Sequence, residues 1–325
     1  MTRVFITGES LLVGTERREA SIASIPSGDY DLASKGIQTR SMDRVSILTL
    51  AAATSALEKA GGFKGVDSTD TGLALGTMYG PLDSIHNFDM VSLETGALSV
   101  NPALFPNTVM NSTACRTGIH LEIAGPLYTV SNGITSSLDA VGLAYEHIRH
   151  GFAVSMLAGG VDEQSYLQAR IHKSRFPLVE TCGFVVLKAA DRFESDFEYV
   201  LAEITGFVSA GNDSEHEFPS SLFEKIGDWL RSSGMNSNEI GLVSVCSDSG
   251  ISESVDWQNA LCRNLNYSGP VETLMEDRMS ASGIYQIVTA LRAKDKLLAN
   301  GRYHMILNVS VEQFSWLALD VSPQF

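Results

Sequence analysis

Short apolar, β-branched runs alternate with longer amphipathic stretches along the whole chain, and this alternation constrains the fold more than any single motif does. Strand-like runs are expected at 3–7, 72–78, 128–131, 153–159, 182–189, 199–208, 241–246 and 305–321, the last as a hairpin. Helical periodicity is expected over 42–60, 137–150, 220–233, 255–265 and 283–299. In the first of these helices, Ser41 has the chemistry of an N-cap, Asp43 suits the first turn, and the Gly61 and Gly62 pair is a stop. Strands separated by helices imply an α/β protein with a largely parallel, helix-covered sheet. Two halves, 1–190 and 191–325, each begin with strands and hold a long helix, with no flexible linker between them. The expected architecture is one compact unit containing a pseudo-repeat.

Composition removes several function classes. The chain of 325 residues carries a formal charge of −15 and no run rich in Lys or Arg, which argues against nucleic acid as a partner. Neither a signal-peptide pattern nor a stretch of about 18 apolar residues occurs, so a cytoplasmic protein without a membrane span is expected. Cys115, Cys182, Cys246 and Cys262 are widely spaced, without the CxxC pairs of a zinc site or the density of a disulfide framework. No GxGxxG and no P-loop is present, so the glycines read as turns rather than phosphate cradles. No cofactor and no metal is expected. His147 and His150, three apart on a helix, read as a basic C-terminus complementing the dipole. His172 and Lys173 form a short basic patch with some potential to dock an acidic carrier, and residues 213–217 read as a solvated acidic loop.

The stretch NSTACRTG, residues 111–118, has the look of a nucleophile turn carrying a reactive thiol at Cys115. Its longer context is FPNTVMNSTACRTGIHLEIAGPLYTVSNGITSSLDAVGLAYEHIRHGFAVSMLAGGVDE, residues 105–163. That segment resembles the β-ketoacyl synthase family of the thiolase fold. RVFITG is similar to the family's first strand, MDRVSILTLAAATSALEKAG to its first long helix, and GFVVLKAADR to its mid-chain strand. The resemblance implies two pseudo-repeated βα halves in an α-β-α-β-α sandwich.

It also implies that Cys115 is a decoy, a packed small hydrophobe. The family's nucleophilic Cys directly follows the Val-Ser strand, and that position is Ile134 here. A Cys at a helix N-terminus gains thiolate character from the dipole, whereas Ile134 can accept no acyl group. By the same matching, the two catalytic histidines are replaced by Cys246, in LVSVCSDSG, and Asp277, in MEDRMSASG. Those histidines donate to the thioester oxygen, which an ionised Asp does not do. NVSVEQFS replaces the family's glycine-rich gating loop, the segment between Glu163 and Glu180 is shortened, and Glu180 is retained as a structural residue.

A ketosynthase-like chain without these groups resembles a type II polyketide chain length factor, among which the aryl polyene type is the nearest in compactness. What that implies is a heterodimer with an active β-ketoacyl synthase and contact with acyl carrier protein only through the partner. Tyr79, Leu104, Phe105 and Met110 would line the acyl tunnel near the interface. Two alternatives stand beside this reading, an acyl-binding homodimeric scaffold and a residual acyltransferase using Cys115 or Cys246.

Overall fold

In the computed structural model the described residues are 2–18, 22–32, 36–40, 42–63, 66–172, 174–192, 200–211, 220–248, 251 and 254–323. Ser41, Lys173 and the acidic stretch 213–217 lie outside them. The strands are β1 (Val4–Val13), β2 (Glu16–Arg18), β3 (Ile22–Ser24), β4 (Thr71–Gly76), β5 (Leu127–Val130), β6 (Ser155–Asp162), β7 (Leu178–Val179), β8 (Thr181–Ala189), β9 (Ala202–Gly211), β10 (Ile240–Ser247), β11 (Val271–Thr273), β12 (Tyr303–Val309) and β13 (Gln313–Asp320). The helices are α1 (Arg44–Lys59), α2 (Leu82–Thr95), α3 (Ser112–His120), α4 (Ser136–Arg149), α5 (Tyr166–Ile171), α6 (Ser220–Ser233), α7 (Trp257–Leu265), α8 (Ser282–Arg292) and α9 (Lys294–Leu297).

One ten-stranded sheet runs in the order β11-β10-β12-β13-β9-β1-β8-β6-β4-β5, and β2, β3 and β7 form a separate small sheet. The large sheet has the same form on either side of the β1–β9 pair. Outward from β1 come β8, β6, β4 and β5; outward from β9 come β13, β12, β10 and β11. On each side the first two pairings are antiparallel and the next two parallel. The sheet is therefore mixed, and the expected parallel character holds only for its outer strands.

Three apolar clusters divide the molecule into layers. Leu48, Ala52 and Ala56 of α1 pack with Leu73, Leu75, Leu157 and Phe184 on one face of the β1 side. On the β9 side, Leu222, Ile226 and Trp257 of α6 and α7 cover Val245, Leu307 and Trp316. Between the two sheet halves, Leu138, Val141 and Ile148 of α4 meet Ile284, Ile287 and Leu291 of α8. The result is the expected helix–sheet–helix–sheet–helix stack. Burying each such large apolar side chain contributes about 1.5–3 kcal/mol.

The local signals act with small adjustments. Asp43, rather than the expected Ser41, caps α1, its Oδ1 accepting from Ser46 N at 2.8 Å. A cap of this kind contributes about 1 kcal/mol. The apolar face of α4 at Leu138, Val141, Tyr145 and Ile148 is buried, and so are Ala140, Gly142 and Ala144, as its place in the central layer requires. His147 is held at both ring nitrogens, by Leu143 O at 2.9 Å and Tyr128 Oη at 2.8 Å.

The start of α4 is clamped on three sides by glycines. A Cβ at Gly76 of β4 would lie 2.4 Å from Ser136 C and O, and one at Gly160 of β6 would lie 2.4 Å from Ser137 Cβ. On the third side, a Cβ at Gly283 of α8 would lie 2.8 Å from both Leu138 Cβ and Asn308 Oδ1. Overpacking at such a contact costs about 1–3 kcal/mol. Gly283→Ala is therefore expected to lower stability to denaturant by about that amount, while Gly28→Ala, which has open space around its new Cβ, changes it little. Equal unfolding midpoints for the two variants would contradict so close a crossing of the central helices.

Candidate functional site

The two central helices begin alike. A 3-10 turn, Gly133–Thr135, leads into α4, and another, Met279–Ala281, leads into α8. Each turn opens on a residue with positive φ, Gly133 at 60° and Met279 at 48°. For a methionine that backbone costs roughly 1–2 kcal/mol, so the second turn persists only because its surroundings hold it. Met279 N donates to Asp277 Oδ1 at 2.8 Å, and Ser280 N donates to Asp162 Oδ2 at 3.1 Å.

Asp162, at the end of β6, is the junction. Besides Ser280 N, its carboxyl accepts from Thr77 Oγ1 at 2.9 Å, Tyr79 N at 3.0 Å and Met78 N at 3.0 Å. Complete burial outweighs these donors and pushes its pKa upward. The carboxyl thus ties the segment after β4 to the turn before α8.

A cavity of about 210 Å³ opens beside this junction, lined among others by Tyr79, Ile134, His172, Cys246, Asp248 and Asp277. The four sequence-derived positions Tyr79, Ile134, Cys246 and Asp277 are thereby brought together around one space. Ile134 sits in the turn before α4 and is 6% exposed. Cys246 ends buried near the tip of β10, and burial, reinforced by the carboxylates of Asp277 and Asp248, pushes its thiol up to about 12. At neutral pH that sulfur is a neutral thiol, not a nucleophile.

Sequence reasoning misplaces one residue of this cavity and leaves others, among them Phe176 and Glu276, unassigned. His172, which beside Lys173 suggests carrier docking, instead follows α5 into the cavity with its side chain only 18% exposed. Its Nε2 lies 2.8 Å from Asp277 Oδ2 and its Nδ1 lies 3.1 Å from Tyr79 Oη. Burial alone would lower the His172 pKa, but the hydrogen bond and charge of Asp277 prevail and the net shift is upward. Asp277 is held below the usual carboxylate range by the same pair, against its own burial. Burial first, then the charges of Asp162 and Asp277, raise Tyr79, which stays a neutral phenol.

The remaining candidates lie elsewhere. Leu104 and Phe105 are 49% and 58% exposed, outside the cavity. Met110 packs against Gly80, where a Cβ would lie 2.6 Å from its Sδ, and so backs the segment carrying Tyr79. Cys115 is not the buried, packed residue expected: it is partly exposed on α3 and lines a surface groove of about 490 Å³ with Pro106, Val109 and Ile119. The cavity and this groove share no lining residue. Glu180 is structural, as expected, accepting from Arg44 Nε at 2.7 Å, Ile25 N at 2.6 Å and Gln164 N at 3.2 Å. Among the described residues no group of His, Cys, Asp and Glu is arranged to hold a metal ion, and no helix is long and apolar enough to cross a membrane.

Comparison with known proteins agrees with this geometry. The family model described as "Beta-ketoacyl synthase, N-terminal domain" matches residues 15–190, more than half of the chain. The chain therefore belongs to the β-ketoacyl synthase family. It is 24% identical over 298 residues to a 3-oxoacyl-[acyl-carrier-protein] synthase 2 of Vibrio cholerae, covering 80% of this chain and 72% of that protein. To Nodulation protein E of Rhizobium meliloti it is 25% identical over 263 residues, covering 74% and 60%. Among solved structures, the ishigamide ketosynthase/chain length factor superposes with a TM-score of 0.79 at 20% identity, covering 98% of this chain and 99% of that one. A type II polyketide ketosynthase complexed with its acyl-carrier protein, AntDE:AntF, superposes with a TM-score of 0.82 at 17% identity, covering 99% and 100%. These structures share the thiolase-like fold.

Beside Asp162, Glu163 is buried against Asp83, whose N–H donates to its Oε1 at 3.4 Å. Burial, with the Asp83 charge adding to it, raises its pKa to about 8. In the unfolded chain the same group ionises near about pH 4.3. The folded state therefore binds the proton more tightly, and the stability this contributes is full below the unfolded value and lost as pH rises towards 8. The expected loss is at most about 1.4 kcal/mol per pH unit. Glu163→Gln, which copies the protonated form, should flatten urea-derived stability between about pH 5 and pH 8 relative to wild type. An unchanged slope in the variant would show that Glu163 is ionised in the fold.

Proposed function

We propose that this chain is a non-catalytic ketosynthase-like subunit that pairs with an active β-ketoacyl synthase and shapes the tunnel in which the partner's acyl chain grows. The observation that carries this reading is Ile134 in the turn before α4. That helix start directs several backbone N–H groups towards the turn, the setting that lowers a thiol's pKa, and places there a side chain with no nucleophilic atom. Cys246 does not substitute for it, since burial holds its thiol protonated. Asp277 is committed to His172 and Met279 N as an acceptor, so it is not a donor to a thioester oxygen.

Pairing is supported by the surface around β5. Among the described residues that strand is an edge of the large sheet, and an edge strand offers backbone groups for further pairing. In the segments between β4 and β5, Leu93, Leu98, Leu104, Phe105, Val109 and Ile119 are exposed. So many exposed large apolar side chains in these segments support pairing with another protein. Two of the structural neighbours are a ketosynthase/chain length factor and a ketosynthase with its acyl-carrier protein. On this reading the partner carries the thiolate, carrier protein is engaged through the partner, and the product class is a bacterial type II polyketide or fatty acid of the aryl polyene kind.

Co-expression with the Cys-bearing ketosynthase encoded nearest to it is expected to yield a one-to-one heterodimer by solution mass, formed in preference to either homodimer. A stable homodimer that ignores the ketosynthase would support the scaffold alternative instead. Within the heterodimer, Tyr79→Ala enlarges the cavity and is expected to shift products towards longer chains, because an elongating chain that meets a packed wall must distort it at about 1–3 kcal/mol. Unchanged lengths from a stable mutant heterodimer would remove Tyr79 from the tunnel.

A further inference from the structure

Tyr79 is held at both ends by one closed circuit of hydrogen bonds. Its backbone N–H donates to Asp162 Oδ1, and the next residue's N–H, Gly80, donates to Thr77 Oγ1 at 2.9 Å. Its hydroxyl meets His172 Nδ1 at 3.1 Å, with the two rings edge-on at 5.9 Å between centroids. His172 Nε2 meets Asp277 Oδ2, Asp277 Oδ1 takes Met279 N, and Ser280 N returns to Asp162 Oδ2. Free tyrosine at a cavity wall has two rotatable χ angles and swings aside when pushed. Tied at the hydroxyl as well as the backbone, this ring loses a hydrogen bond whenever it leaves its rotamer.

We propose that His172 and Asp277 are positioning residues that hold the Tyr79 ring across the cavity, and that this tether, not the bulk of the tyrosine alone, sets the cavity's depth. The proposal rests on the reading that the cavity faces the growing chain. Asp277 accepts from Nε2–H and so fixes which ring nitrogen faces Tyr79. A neutral His172 then accepts a hydrogen bond from the phenol O–H at Nδ1, and a doubly protonated His172 donates from Nδ1 to Tyr79 Oη. Tyrosine serves either role, so the tether survives titration of the histidine. Among the described residues, Asp277, Asp162 and Asp248 act on His172, Tyr79 is in direct contact, and Cys246 and Glu276 line the same cavity. Product length is accordingly expected to stay constant across the titration of His172. A proton-relay role for the same three residues would instead change it.

The experiment is the product-length distribution of the reconstituted heterodimer, measured at two pH values on either side of the His172 titration. The set comprises wild type, Tyr79→Ala, Tyr79→Phe, His172→Ala, His172→Gln and the double variant of Tyr79→Phe with His172→Ala. Tyr79→Phe and His172→Ala are each expected to shift the main product by at least one extension unit, less than Tyr79→Ala does, and the double variant to shift it no further than either single one, since both cut the same bond. His172→Gln, whose amide can still meet the phenol, should restore the wild-type length, an outcome that simple loss of packing would not give. If Tyr79→Ala lengthens the products while Tyr79→Phe leaves them unchanged, the tether proposal fails and the tunnel reading stands. Unchanged lengths in Tyr79→Ala as well would remove Tyr79 from the tunnel and overturn the tether proposal with it. Tyr79→Phe, which keeps the ring volume, separates these outcomes even if His172→Ala does not fold.

Discussion

The Asp162 carboxyl is the constraint on which the rest of the site depends. A carboxyl group buried without partners is expensive, and this one persists because Thr77, Met78, Tyr79 and Ser280 donate to it from two separate segments. Those segments, one following β4 and one preceding α8, have no covalent reason to meet. Once both are tied to Asp162, the left-handed backbone at Met279 is supported, Asp277 turns towards His172, and the cavity acquires its wall. Arg44 and Glu180 play a comparable part, one buried carboxylate gathering α1, Ile25 just after β3 and the segment after β6.

The doubled strand order places this junction where it is. Each side of the sheet feeds a central helix through a tight turn with positive φ, and the two helices cross so closely that Gly283 and Leu138 leave no room for a further methyl group. The turns before α4 and α8 consequently face one space. In such an arrangement the helix starts present backbone donors to whatever the turns carry. Here they carry Ile134 on one side and the strained Met279 segment on the other.

Much of this is legible in the sequence. The short apolar runs find β4, β6, β8, β9, β10 and the terminal hairpin to within a few residues, because strands buried on both faces are apolar nearly throughout. Ile134, Cys246 and Asp277 come to one place through the family resemblance. Helices α2 and α3 escape because serine, threonine and glycine mask their periodicity and their apolar residues, such as Leu93 and Ile119, face outward. His172 escapes for a different reason. Its helix has six residues, and its partners Tyr79 and Asp277 lie 93 and 105 positions away, distances over which periodicity carries no signal. The basic neighbour Lys173 suggests a surface role instead. The N-cap shifts from Ser41 to Asp43 because boundaries depend on which side chain reaches the free N–H groups, a detail of geometry rather than of composition.

On the proposed reading, Ile134 in the turn before α4 means that the reactive thiolate belongs to a partner ketosynthase and not to this chain. The most direct measurement is intact-protein mass spectrometry of the purified heterodimer after incubation with an acyl-carrier-bound substrate, with each subunit resolved separately. A single acyl adduct on the ketosynthase and an unmodified mass for this chain is the predicted result. A stoichiometric adduct on this chain, located at Cys115 or Cys246 by peptide mapping, would contradict it.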